Sequence, residues 1–140
     1  MADVETAHRP AWAEVDLAAV RANVAAIAEL VAPAAMCVVV KANGYGHGAV
    51  PVAEAALNAG ASWLAVALVE EGVALRREGI DAPILLLSEP PLSAMPAARR
   101  HRLTPTLYTN RGVKAAAEAA TNGPGPWAVH VKVDTGLHRV

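Results

Sequence analysis

The run Val38-Val39-Val40-Lys41-Ala42-Asn43-Gly44-Tyr45-Gly46-His47-Gly48 sets a lysine directly after a β-branched apolar stretch and directly before a glycine-rich turn. A lysine at the C-terminal end of a parallel strand stands where α/β folds place their active sites. Apolar neighbours solvate an ammonium poorly and favour the neutral amine, which is the form that attacks a carbonyl to make a Schiff base. The glycines that follow let the backbone turn sharply and approach a ligand closely. Their order excludes a P-loop, which needs Gly-Lys-Ser/Thr, and a dinucleotide fingerprint, which needs G-x-G-x-x-G ahead of a helix. On residues alone, Lys41 is either such a reactive amine or a strand-end lysine that reaches solvent.

A second stretch, Val129-His130-Val131-Lys132-Val133-Asp134-Thr135-Gly136-Leu137-His138-Arg139, alternates with period two. His130, Lys132 and Asp134 share one face, and Val129, Val131 and Val133 the other. If the valines meet helices, as in a barrel, Lys132 points inward and needs a partner or a changed charge state. Asp134-Thr135-Gly136 also matches the short signature of aspartic proteases. That reading is poor, because such sites need a second, paired aspartate in an all-β setting.

The elements that would position these residues follow from the apolar pattern. Ala11 to Asp16 alternates like a short strand, and Asp16 can cap a helix carrying Leu17, Val20, Val24, Ile27 and Leu30 on one stripe. Pro33 ends that helix. Strands are expected over 37–40, 63–68, 84–87, 106–108 and 129–133. Helices are expected through 53–58, closed by Gly60, then over 70–78, 93–100 and 111–120. The spacing leaves room for one βα unit each time and none for hairpins, so the strands should be parallel. Right-handed crossovers then give either an open doubly wound sheet or an arc of a (β/α)₈ barrel.

Composition narrows the function classes. The 140 residues carry a net charge of −1 and are 54% hydrophobic, but 33 of them are Ala, and the remainder is ordinary for an α/β protein. Near-neutral charge argues against a nucleic-acid partner. No apolar run is long enough for a membrane helix, and the acidic start lacks the apolar core of a signal peptide, so a cytoplasmic location is expected. The cluster Arg99, Arg100, His101 and Arg102 reads as a solvated helix end. The single cysteine, Cys37, excludes an internal disulfide and a cysteine-based zinc site, and its apolar surroundings suggest a buried thiol.

Lys41 to Gly48 closely resembles the pyridoxal-phosphate lysine motif of alanine racemases, commonly K-A-N-A-Y-G-H-G, with Gly44 replacing a common Ala. Trp12 to Leu17, Glu70 to Arg76, and Lys132 to Gly136 agree with the same family in order and spacing, so the resemblance covers roughly residues 8 to 140. It implies a pyridoxal-phosphate-binding (β/α)₈ TIM-type barrel, here about five βα units over 17–140. Residues 1–16 would include a short strand that joins a C-terminal β domain. It also implies racemisation of L-alanine to D-alanine by two bases, supplying peptidoglycan, in a cytoplasmic homodimer that uses pyridoxal 5′-phosphate. By the same resemblance Lys41 would carry the cofactor and act as one base. Tyr45 would bond the cofactor phosphate. Arg139 would contact the cofactor and the substrate carboxylate, and Lys132 would be open to carbamylation. Leu87 could line the pocket or simply pack, while His47 reads as structural. His138 departs from a common Gly.

In the family the second base and other cofactor contacts come from later sequence. The 140 residues alone are therefore expected to be inactive and poorly stable, with an exposed sheet edge. A serine or broader-specificity racemase and a non-catalytic pyridoxal-phosphate-binding barrel are the competing readings.

Overall fold

The computed structural model describes residues 11–138. Asp16 caps the first helix as expected. Its Oδ1 accepts the N–H groups of Ala18 (2.8 Å) and Ala19 (3.1 Å) at the start of α1, Leu17–Val31. The strand expected over 11–16 is not formed. No neighbouring segment of the described chain offers it a ladder, and an unpaired strand leaves its backbone groups to water.

Five parallel strands follow, β1 (Cys37–Val39), β2 (Trp63–Val66), β3 (Ile84–Leu86), β4 (Leu103–Leu107) and β5 (His130–Val131). Between them run α2 (Lys41–Tyr45), α3 (Ala49–Asn58), α4 (Val69–Arg77), α5 (Met95–Arg100) and α6 (Asn110–Thr121). The strands lie in the order β1-β2-β3-β4-β5, every neighbouring pair parallel. This order decides between the two architectures left open by the strand spacing, in favour of the barrel that the resemblance implies. A doubly wound sheet reverses direction at a switch point, whereas right-handed crossovers that always add the next strand on the same side keep the helices on one face. The sheet is an arc of a (β/α)₈ barrel.

Alternate strand residues build the helix-facing core. Val40, Leu64, Val66, Ile84, Leu86 and Leu103 are buried in one cluster with Ala53, Val69, Leu75 and Ala98 from the helices. Each large aliphatic side chain so buried contributes about 1.5–3 kcal/mol relative to exposure. Gly72 permits α4 to approach, because a Cβ there would stand 2.8 Å from both methyls of Leu103.

The opposite face is the barrel interior. It carries Cys37, Val39, Trp63, Leu85, Thr104, Thr106 and His130, and there the rings of Trp63 and His130 lie 5.9 Å apart. Thr106 Oγ1 donates to Leu86 O at 2.6 Å, which satisfies its hydroxyl in a buried position. Cys37 is exposed rather than buried, since it sits on this interior face of the edge strand β1.

Two further expectations change. Val131 and Val133 do not meet helices. They are 72% and 74% exposed, and no described helix covers β5. Nor is Arg99 a freely solvated helix end, being half-buried. Its Nη2 donates to Pro124 O (2.6 Å) and Gly125 O (2.7 Å), and its guanidinium lies over Trp127 at 5.7 Å, clamping the turn that precedes β5. Among the described residues, no helix is long and apolar enough to cross a membrane.

Candidate active site

Lys41 is the second residue after β1, half-buried, at the C-terminal end of the first strand of the arc. The next residues form an unusual turn. Ala42, Asn43, Gly44 and Tyr45 all have positive φ, at 51°, 55°, 63° and 56°. Left-handed helical backbone costs an L-residue roughly 1–2 kcal/mol, so three non-glycine residues here require bracing. Several bonds supply it. Asn43 Oδ1 accepts the Ala49 N–H at the start of α3 (2.9 Å), and Asn43 O accepts the Gly48 N–H (2.8 Å). His47 Nδ1 bonds Gly44 O at 2.9 Å, which gives His47 the structural role expected of it. Gly44 itself is buried, and a Cβ there would press on the Ala49 backbone at 3.3 Å.

The left-handed turn brings Tyr45 back beside the lysine. Lys41 Nζ lies 6.0 Å from the centre of the Tyr45 ring, and Tyr45 is 60% exposed. Among the described residues no carboxylate lies within ion-pair distance of Lys41. The amine is thus held in place by its backbone but left chemically uncommitted.

Glu71 is a site residue that sequence reasoning did not single out, although it lies in a quoted stretch. Its Oε1 accepts the Ala42 N–H at 2.6 Å, and its Oε2 accepts the N–H groups of Ala67 (2.8 Å) and Leu68 (3.0 Å). Glu71 is the third residue of α4, so the bond to Leu68 is half of a capping box. The bond to Ala42 crosses to the neighbouring βα loop. Burial pushes the Glu71 carboxyl up, but the three backbone N–H groups and the Lys41 charge outweigh it and hold the group below its ordinary value.

Glu89, in the segment after β3, makes a similar set of bonds. It accepts the N–H groups of Tyr108 (2.8 Å) and Thr109 (2.9 Å) and the Thr109 hydroxyl (2.6 Å). Burial again pushes this carboxyl up, and those bonds overcome it to leave the group lowered.

Lys132 directly follows β5 and is half-buried, and its N–H donates to Leu107 O at 2.9 Å. Because His130 pairs with interior-facing Thr106, Lys132 two residues later shares the interior face with the β1 side of the site. Leu87 stands at the equivalent position after β3, half-buried, with its N–H on Val66 O (2.9 Å). His138 has φ of 53°, a conformation glycine adopts freely and histidine tolerates better than most residues, which gives its departure from glycine a physical meaning. Arg139 lies outside the described residues. A cleft of about 760 Å³ between α5 and α6, lined by Leu92, Pro96, Arg99 and Glu118, contains none of the candidate residues.

The donor set suits a phosphorylated aldehyde. A primary amine free of ion pairs can take the carbonyl, and an exposed phenol beside it can donate to an anionic oxygen.

Residues 15–140 match the family described as "Alanine racemase, N-terminal domain". An alanine racemase of Symbiobacterium thermophilum is 51% identical over 133 residues, covering 94% of this chain and 35% of that protein. The chain thus spans about a third of that relative's length. Alanine racemase from E. faecalis superposes with a TM-score of 0.88 at 39% identity, over 96% of this chain and 37% of the other. The Bacillus anthracis alanine racemase with bound L-Ala-P gives 0.86 at 38% identity, over 95% and 34%.

Proposed function

The chain belongs to the alanine racemase N-terminal domain family, and on that premise we propose that it forms the lysine side of a pyridoxal-phosphate-dependent site that racemises alanine. The observation that carries the proposal is the pairing of Lys41 with Tyr45 on a braced left-handed turn at the C-terminal end of the first barrel strand. When bound, pyridoxal 5′-phosphate supplies an electron sink that acidifies the α-carbon of an amino acid. Lys41 would supply the amine that holds the cofactor aldehyde. The same Nζ, at the end of a strand whose position is fixed, would serve as one of two bases that move the α-proton. Tyr45 would donate a hydrogen bond from its phenol to the phosphate.

By family resemblance Arg139 takes the substrate carboxylate, for which a guanidinium fork is suited. Lys132, as a carbamate, would turn a cation into an anion that braces that arginine. The full activity then needs a second base from the assembled homodimer, and its product would feed peptidoglycan in the cytoplasm.

The test is covalent trapping. Borohydride reduction of the intact protein loaded with pyridoxal phosphate, followed by peptide mass mapping, should place the label on Lys41, and Lys41→Ala should lose both label and racemisation. Label on another lysine would overturn the assignment. Intact mass of the untreated protein should show one added carboxyl group that Lys132→Ala removes.

A further inference from the structure

We infer that Glu71 is a positioning residue for Lys41, acting from the next βα loop through the Ala42 backbone; this rests on the pyridoxal-phosphate reading of Lys41. Ala42 immediately follows Lys41, and as one of the first residues of α2 its N–H has no acceptor one turn back. The left-handed run that begins at Ala42 moves it further from any helical partner. Glu71 Oε1 supplies the acceptor at 2.6 Å, across 29 residues of sequence. The other oxygen is fixed by Ala67 and Leu68, at the end of β2.

One carboxylate therefore ties the peptide that follows Lys41 to the end of the adjacent strand. Among the described residues, the other side-chain bonds of the turn come from its own Asn43 and His47, so Glu71 is the side-chain brace from another element. Both oxygens are needed, and both must accept. An amide in place of the carboxylate would aim an NH₂ group at one of the N–H donors. An aspartate would keep the charge but shorten the reach by one methylene, so it could serve the Ala67–Leu68 pair or Ala42, not both.

The experiment uses the intact protein carrying Glu71→Gln, Glu71→Asp or, as a control, Gly72→Ala. The control disturbs the same helix against Leu103 and leaves Ala42 alone. Two readouts are taken, the rate at which Lys41 is trapped with pyridoxal phosphate and borohydride, and hydrogen exchange at the Ala42 amide. Loss of a bond to a charged acceptor corresponds to about tenfold or more. Both Glu71 variants should therefore trap at least about tenfold more slowly and exchange Ala42 about tenfold faster. Gly72→Ala should trap at the wild-type rate even where its stability falls. If the two Glu71 variants trap and exchange like wild type, or if Gly72→Ala slows trapping equally, the positioning role is refuted. If wild-type Lys41 is not trapped at all, the cofactor reading fails separately, and Ala42 exchange alone decides whether Glu71 holds the turn.

Discussion

Gly112→Ala should destabilise the protein, although helix propensity argues the reverse. Gly112 is the third residue of α6, and alanine in place of glycine is worth up to about 1 kcal/mol in a helix. The neighbourhood reverses the sign. A Cβ at this position would collide with the Glu89 carboxylate, overlapping its Oε2 and Cδ and standing 2.7 Å from Oε1. Glu89 cannot retreat freely, since it holds the Tyr108 and Thr109 N–H groups and the Thr109 hydroxyl, and that hydroxyl in turn accepts the Gly112 N–H at 2.9 Å. At a half-buried site each such bond is worth about 1 kcal/mol. Displacing the carboxylate therefore costs about 2–3 kcal/mol, which leaves a net loss of about 1–2 kcal/mol after the propensity gain.

The assay is chemical denaturation of the intact protein, reading the midpoint at constant slope. Repeating the substitution in a Glu89→Ala background isolates the contact, because with the carboxylate gone Gly112→Ala should turn stabilising by about 0.5–1 kcal/mol. A higher midpoint for Gly112→Ala in the wild-type background would refute the reasoning, and so would an unchanged sign in the Glu89→Ala background.

Acid sensitivity should follow from the two loop carboxylates. Glu71 and Glu89 are both held below the ordinary carboxylate value. Their contribution is complete above about pH 4.3, the unfolded value for glutamate, and is lost as pH falls through the lower folded value. Glu71→Gln and Glu89→Gln should each flatten the acid-unfolding curve below that pH, and a curve superimposable on wild type would remove the linkage. Arg76→Lys should cost about 1–3 kcal/mol despite conserving charge. The Arg76 guanidinium spans the carbonyls of Ala82 (2.8 Å), His101 (3.0 Å) and Arg102 (3.0 Å), along with Ile80, in the segments leading into β3 and β4, and one ammonium cannot reach them all. An unchanged melting temperature for Arg76→Lys would count against that staple.

The local signals in the sequence were the ones that translated into structure. Asp16 caps α1, the apolar run before Lys41 is β1, and the β-to-α spacing yields parallel strands. Where the sequence falls short, the deciding contact is distant in the chain. The order of strands separates a barrel arc from a doubly wound sheet, and no periodicity encodes which strands pair. The β4 strand starts at Leu103, earlier than the expected Thr106, and runs through Pro105, a residue that strand interiors disfavour. Its missing N–H is tolerated for a specific reason. Leu107 O points towards β5, so the backbone of Pro105 two residues earlier also faces β5, and pairing on that side begins only at Thr106. Glu71 was visible as part of a matching stretch, but its role depends on a bond spanning 29 residues. The Arg99 clamp, reaching 25 residues to Pro124, is equally silent in composition.

The two carboxylates also explain how a barrel end can be rigid and reactive together. The loops after β1 and β4 must hold fixed shapes, yet any charged side chain used to pin a lysine directly would lock its amine in an ion pair. Glu71 avoids this by gripping three backbone N–H groups, and Glu89 by gripping two backbone N–H groups and the Thr109 hydroxyl. Glu71 ties the turn after β1 to the end of β2, and Glu89, from the segment after β3, ties down the end of β4. The brace on the peptide thus fixes where Lys41 starts, while its Nζ lies 6.0 Å from the Tyr45 ring and, among the described residues, in no ion pair. The role proposed for Lys41, holding an aldehyde and then carrying a proton, would use that separation between a fixed base and a free tip.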